Sequence, residues 1–332
     1  MSEPPPPFVN RGRSVDVAGK DLVELEPIQR GDLGAAIGFD ERYEMLGLIG
    51  SGAMGEVRLC RDRTVGREVA MKVIRNSAHA TPRQWRFVRE ARIQGQLEHP
   101  AVVPVYDFGV DPEGNLYFTM KRVRGVSLAE VFDALAANDL TTERRFSRRR
   151  LLTAFSQVSL AVDYIHTRGV VHRDLKPSNV MLGDFGEIYV LDWGLVKLIE
   201  SDDGLRGQDF IDASGAATTG SGSVLGTPGY MSPEALRGEV DRVDRRSDIY
   251  SLGSILFELL AREPLHPRGA TKQKLLSVLQ TDGARPSERR RNLHLSPLLD
   301  EVVYKATRLN PEDRHPTAGA LSEAIETYLD SL

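Results

Sequence analysis

Residues 170–194 read VVHRDLKPSNVMLGDFGEIYVLDWG. The stretch sets His172, Arg173, Asp174, Lys176 and Asn179 close together, then repeats an Asp-aromatic-Gly triplet at Asp184 and at Asp192. Carboxylate and amide oxygens are the donors that a hard cation such as Mg²⁺ prefers alongside phosphate oxygens and water. Either triplet could hold a metal through its aspartate. Which one does so, and which is only a turn, decides how the surrounding chain folds.

Upstream, GLIGSGAMGEV sets Gly50, Gly52 and Gly55 in a G-x-G-x-x-G pattern, followed by Val57. Glycines let a hairpin lie close over phosphates with its N–H groups turned toward their oxygens. A dinucleotide site would need the pattern to end a strand and open a helix, whereas EVRLCRD continues as strand. VAMK then brings Lys72, a point charge able to reach two phosphates. Such a lysine needs a carboxylate to hold it. Glu90, in RFVREARI on a helix expected from Gln84 to Leu97, is the candidate. Each residue alone also has a plainer reading, as turn glycine or solvent-facing charge, and their order gives the functional reading its weight.

Across the 332 residues, 41% are hydrophobic and 27% charged, with a formal net charge of −4. That is ordinary for a globular protein and lacks the basic excess expected of a nucleic-acid partner. The cluster Arg144, Arg145, Arg148, Arg149 and Arg150 reads first as a solvated face ahead of a helix, second as a docking surface for an acidic peptide. The single cysteine, Cys60, excludes an internal disulfide framework and a cysteine-rich zinc site, and fits a reducing, cytoplasmic setting. The best apolar run, Ile249 to Ala261, is too short for a membrane span and carries Glu258. MSEPPPPFVN lacks the basic start and apolar core of a signal peptide. These features predict a soluble, cytoplasmic chain, or the cytoplasmic domain of a longer membrane protein.

Residues 1–40 read as a proline-rich tail, in which Leu22 to Ile28 could add a short strand. Residues 41–123 carry strand-like alternation, and residues 124–330 are mostly helical, with helices expected at 128–137, 151–167, 248–261, 272–280, 296–307 and 318–329. Ser201 to Ser223 is a long loop rich in Gly, Ser, Thr and Asp, of the kind that is functional or disordered.

VVHRDLKPSNVML matches H-R-D-L-x-x-x-N, and with the glycine loop, lysine and glutamate before it the chain resembles a eukaryotic-type (Hanks-type) serine/threonine protein kinase of the bacterial branch. The resemblance covers roughly residues 41–330. It implies an α+β, bilobal fold: a β-rich N-lobe (41–123), a helical C-lobe (124–330) and ATP in the cleft. It implies catalytic roles for Lys72, Glu90, Asp174 and Lys176, with Asp174 accepting the substrate proton. Gly50, Gly52, Gly55, Val57, Ala70, Lys72 and Met181 would surround the nucleotide. Met120 would sit behind the adenine, with the Lys121 carbonyl and Val123 N–H at its edge. Asn179 and Asp192 would hold Mg²⁺, or Mn²⁺ in its place. Two short strands and a turn separate asparagine from metal-binding aspartate in the family. Asp184 follows Asn179 too closely for that hairpin, whereas Asp192 leaves room, so DFG is the turn and DWG the metal site.

The activation segment would run from Asp192 to Glu234 and close on GTPGYMSPEAL. By resemblance, Glu234 pairs with Arg314, Asp248 caps the catalytic-loop backbone, and Thr227 touches Asp174 and Lys176. Arg173 would meet a phosphate on Thr218, Thr219, Ser221 or Ser223, placed by autophosphorylation in a transient homodimer. Two residues depart from the family pattern. Trp193 replaces phenylalanine and should stack between the Glu90 helix and His172. Gln94, where an apolar residue is usual, would pair with the Trp193 N–H or leave the helix loosely docked. The expected activity is ATP-dependent phosphorylation of protein serine or threonine. The alternatives are a pseudokinase scaffold and, more remotely, a small-molecule kinase of related fold.

Overall fold

The computed structural model describes residues 37–52, 55–74, 82–194, 197–198, 227–268 and 271–332. The expected strand at 22–28 and the candidate phosphorylation sites Thr218, Thr219, Ser221 and Ser223 lie outside the described residues. The described body opens with α1 (Phe39–Arg42), whose Phe39 packs against Tyr43 and Tyr117 at ring-centroid distances of 5.5 and 5.0 Å.

Alternation builds the N-lobe. Strands β1 (Tyr43–Gly52), β2 (Gly55–Asp62) and β3 (Arg67–Ile74) precede helix α2 (Pro82–Gln96), and β4 (Val105–Val110) and β5 (Leu116–Lys121) follow it. They form one antiparallel sheet in the order β1-β2-β3-β5-β4. In β3, Val69, Met71 and Val73 share one face with Cys60 and Tyr117. The other face carries Ala70, Lys72 and Ile74, and there Ile74 and Phe118 meet Phe87 and Ala91 of α2. This period of two puts Lys72 on the same side as the helix bearing Glu90. Register extends the set. Val57 and Phe118 lie opposite Lys72, and Met120 lies opposite Ala70, so all of them share that face.

Residues 122–124 link the sheet to β6 (Gly125–Ser127) and α3 (Leu128–Ala136), which starts on a capping box between Ser127 and Glu130. Then come α4 (Leu140–Arg145), α5 (Arg148–Thr167), β7 (Val170–Val171), β8 (Val180–Gly183), β9 (Ile188–Val190) and β10 (Lys197–Leu198). The remaining helices are α6 (Pro233–Leu236), α7 (Arg245–Ala261), α8 (Thr271–Gln280), α9 (Pro286–Arg289), α10 (Pro297–Ala306) and α11 (Ala318–Asp330). Helix α7 is buried continuously from Ser247 to Ala261, the mark of a core helix rather than a surface one. Side chains of α5, α10 and α11 complete the large core around it.

Several features differ from the sequence expectation: the short helices α1, α6 and α9 are additional, and α7 begins at Arg245 rather than Asp248. Helix α4 was not expected, and α5 begins at Arg148 rather than Leu151. Ser147 explains the earlier start: its hydroxyl accepts from the Arg150 N–H and caps the helix. The arginines at 148–150 therefore form the first turn of α5, while Arg144 and Arg145 close α4.

Candidate active site

Lys72 on β3 forms an ion pair with Glu90 on α2, and both side chains are largely shielded from solvent. Burial pushes the Glu90 carboxyl up, Lys72 draws it down, and the neighbouring negative charge of Asp192 raises it further. Glu90 Oε2 has no hydrogen-bond partner among the described residues. The pair shows α2 docked on the sheet, which removes the expectation of a loosely held helix. The expected Gln94–Trp193 bond is also absent. Gln94 Nε2 instead donates to the Val103 carbonyl at 2.7 Å, and Trp193 Nε1 has no partner among the described residues. A backbone oxygen in the segment before β4 satisfies the buried amide, which no local pattern signals.

The nucleotide-side candidates divide between the lobes. Val57, Ala70, Lys72 and Met120 share the cleft face of the sheet, Lys121 ends β5, and Val123 lies in the linker. Met181 sits on β8 between the buried Val180 and Leu182 and is itself half-buried on the opposite face. Gly50 and Gly52 end β1, paired with Val57 and Gly55. Gly55 has φ +132° and a methyl there would come within 2.2 Å of the Val73 carbonyl, so only glycine fits. A methyl on Gly50 would meet no protein atom within 4 Å; its lack of a side chain answers to nothing in the protein's own packing.

The loop after β7 gathers the polar groups. Lys176 Nζ donates to Asp174 Oδ2 at 2.6 Å and to Thr227 Oγ1 at 3.0 Å. Thr227 donates to Asp174 Oδ1 through its hydroxyl at 3.1 Å and its N–H at 3.2 Å. Asn179 Nδ2 donates to the Asp174 carbonyl at 2.9 Å, which leaves its side-chain oxygen for another partner. The loop hangs on Asp248 of α7, which accepts from the backbone N–H groups of His172 (2.8 Å) and Arg173 (2.9 Å). Burial works to raise the Asp248 carboxyl, but the His166 hydrogen bond, His172 and the Arg173 N–H hold it below its ordinary value. His166 Nε2 lies 2.8 Å from the same carboxylate, a contribution the sequence does not flag. Arg173 (φ +68°) and Asp192 (φ +64°) both adopt the left-handed conformation, a strain that surrounding structure must hold in place.

The two triplets separate cleanly. Gly183 and Gly186 close the β8–β9 turn, with Gly183 N–H donating to Glu187 O at 2.7 Å. Asp184 is half-exposed there, 3.6 Å from Arg145, and Phe185 is 87% exposed. Trp193 is 1% exposed, in the same core as Ile93 of α2, with its ring 4.9 Å from that of His172. Asp192 Oδ1 is buried without a hydrogen-bond partner among the described residues. That orphaned oxygen, close enough to raise Glu90, together with the remaining oxygen of Asn179 fits a divalent cation. Among the described residues no three His, Cys, Asp or Glu side chains form a metal cage. Mg²⁺ commonly does without one, using one or two protein oxygens with phosphate and water.

A model of the protein kinase domain matches residues 43–324. The chain belongs to the protein kinase family. It is 36% identical over 303 residues to Serine/threonine-protein kinase PknD of Chlamydia trachomatis, covering 87% of this chain and 32% of that protein. It is 36% identical over 285 residues to Serine/threonine-protein kinase PknB of Mycobacterium tuberculosis, covering 85% of this chain and 42% of that one. The chain thus spans about a third of the length of PknD. Among the described residues no helix of this kinase is long and apolar enough to cross a membrane.

A second anchor of the kinase fold lies deeper. Arg314 meets Glu234 in a two-pronged pair, both bonds 2.8 Å, both side chains buried, with Ser247 donating to Glu234 at 2.7 Å. Burial alone would raise the Glu234 carboxyl; Arg314 and Ser247 overcome it and hold it below its ordinary value.

Proposed function

We propose that this chain transfers the γ-phosphate of ATP to serine or threonine hydroxyls of proteins. The observation that carries the reading is the cluster of Asp174, Lys176 and Thr227, joined by hydrogen bonds and set beside Asn179 and Asp192. Asp174 accepts the proton of the attacking hydroxyl. Lys176, already in contact with Asp174, offsets negative charge on the group in transfer. Lys72, fixed by Glu90, holds the phosphates of ATP under the glycine hairpin, and Met120, Lys121 and Val123 receive the adenine. Mg²⁺ bound through Asp192 and Asn179 would supply charge neutralisation for the phosphate oxygens. Positioning and charge compensation account for most of the barrier reduction in such a transfer.

The complete set Lys72, Glu90, Asp174, Asn179 and Asp192 supports an enzyme over a nucleotide-binding scaffold. Arg173 supports control by phosphorylation. Burial holds its guanidinium below the ordinary value with Asp248 opposing, and it makes no side-chain ion pair among the described residues. A phosphate on Thr218, Thr219, Ser221 or Ser223, placed by a second copy in a transient homodimer, would neutralise it. Transfer from labelled ATP to a serine/threonine substrate, dependent on Mg²⁺, is the expected result. A protein that binds ATP yet transfers nothing would establish the scaffold reading instead. Mass spectrometry after incubation with ATP should find phosphate within 218–223; phosphate only elsewhere would overturn that part.

A further inference from the structure

On the hinge side of the C-lobe, α4, the start of α5 and the β8–β9 turn enclose a groove of about 670 Å³. Leu151, Leu182 and Ile188 form an apolar floor, and Arg144, Arg145, Arg149 and Arg150 stand around it. At Arg144 and Arg149 the positive charge is uncompensated among the described residues. Arg144 and Arg149 are exposed and make no side-chain hydrogen bond or ion pair among the described residues. Among the described residues Arg145 pairs only with the half-exposed Asp184, and Glu187 at the groove edge accepts from the Phe185 N–H at 3.0 Å. The guanidinium groups of Arg145 and Arg150 lie 5.0 and 5.3 Å from the Phe146 ring. Burial and the charge of Arg145 push the Arg150 guanidinium below its ordinary value. Residues 148–150 also occupy the first turn of a 20-residue helix, the end where the peptide dipoles are already positive and carboxylates are favoured. At that end Arg148 donates to the Leu293 carbonyl and Arg150 to the Arg145 carbonyl, whereas Arg149 meets no carboxylate among the described residues.

The same chain holds a segment of matching character. Asp21-Leu22-Val23-Glu24-Leu25-Glu26 interleaves three carboxylates with three apolar side chains, suited to arginine walls and an apolar floor. The ten residues 27–36 can span up to about 35 Å when extended. A path of contacts links the start of the described chain to the groove. Arg42 bonds Asp62 at 3.4 Å, and Asp62 lies opposite Arg67. The next residue, Glu68, pairs with Arg122 and Arg124 of the linker, and Lys121 bonds Tyr189, neighbour of the groove residue Ile188.

We propose that residues 21–26 dock in this groove of their own chain, tying the N-terminal segment to the C-lobe across the hinge. The inference does not rest on phosphoryl transfer. Its test is arginine modification by phenylglyoxal in the full chain, read site by site by mass spectrometry. In the variant Asp21→Asn/Glu24→Gln/Glu26→Gln, Arg144 and Arg149 should react about fivefold faster or more than in wild type. Exposed Arg92 on α2 serves as the internal control and should be unchanged. A synthetic peptide of residues 19–28 added to the variant should restore the protection. Equal rates at Arg144 and Arg149 in the two proteins would overturn the proposal. So would protection in wild type that vanishes on dilution, which would assign the acidic segment to a second copy.

Discussion

Two Asp-aromatic-Gly triplets lie eight positions apart, and the fold treats them as opposites. Phe185 stands 87% exposed on a turn, whereas Trp193 is 1% exposed against His172. Asp184 faces Arg145 at the surface, whereas Asp192 turns a buried, unpartnered oxygen inward from a left-handed backbone. Similar local chemistry thus acquires different meaning from the hairpin that separates the two. Strands β8 and β9 bring Asp192 back beside Asn179, where Leu191 N–H donates to the Asn179 carbonyl at 2.8 Å.

The strongest way to break this contrast is to neutralise each aspartate. Asp192→Asn should reduce phosphate transfer by about 10³-fold or more, and Asp184→Asn should leave it within about twofold, because a surface pair contributes little. A dead Asp184→Asn with an active Asp192→Asn would reverse the assignment. The next test sets a buried ion pair against the exposed one. Glu234→Ala or Arg314→Ala should destabilise the fold by about 3–5 kcal/mol, since each strands a buried charge; Asp184→Ala should cost about 0–1 kcal/mol. Urea titration measures both, and normal soluble yield and melting temperature in the first two would sink that assignment.

The aromatic members come third. Trp193→Ala should cost about 3–5 kcal/mol through the cavity it leaves, while Phe185→Ala should stay within about 0.5 kcal/mol. Trp193→Phe sharpens the comparison with the smallest expected effect. It loses some packing but removes a buried N–H without a partner, a group that costs about 1–3 kcal/mol. The two terms oppose, so the net change should fall within about 1 kcal/mol. A loss as large as that of Trp193→Ala would mean that the indole N–H is satisfied in solution.

Much of this was legible in the sequence because the signals were periodic or tightly spaced. Alternation in VAMKVI predicted the strand that turns Lys72 inward, and HRDLKPSN predicted the loop that joins Asp174, Lys176 and Asn179. Spacing, set against the hairpin the family places after its asparagine, separated Asp184 from Asp192. What escaped depends on contacts between distant segments. Nothing near Gln94 announces the Val103 carbonyl as its partner. Helix α4 is short and polar, with no buried residue to give it a period. His166 reaches Asp248 across the interface between α5 and α7, although 82 residues separate them in the chain. Roles assigned by resemblance to Val57, Met181 and the linker residues concern a bound nucleotide, which register and burial support only by setting the right faces toward the cleft.

Asp248 gives the molecule one more property. Its carboxylate is fully buried in the middle of the core and carries the backbone of His172 and Arg173. A loop hung in that way is tied directly to the buried central helix. The His172 and Arg173 amides should exchange with deuterated solvent as slowly as the interior of α7, through global opening rather than local fraying. With exchange that slow, regulation would act on the groups that come to the loop rather than on the loop itself.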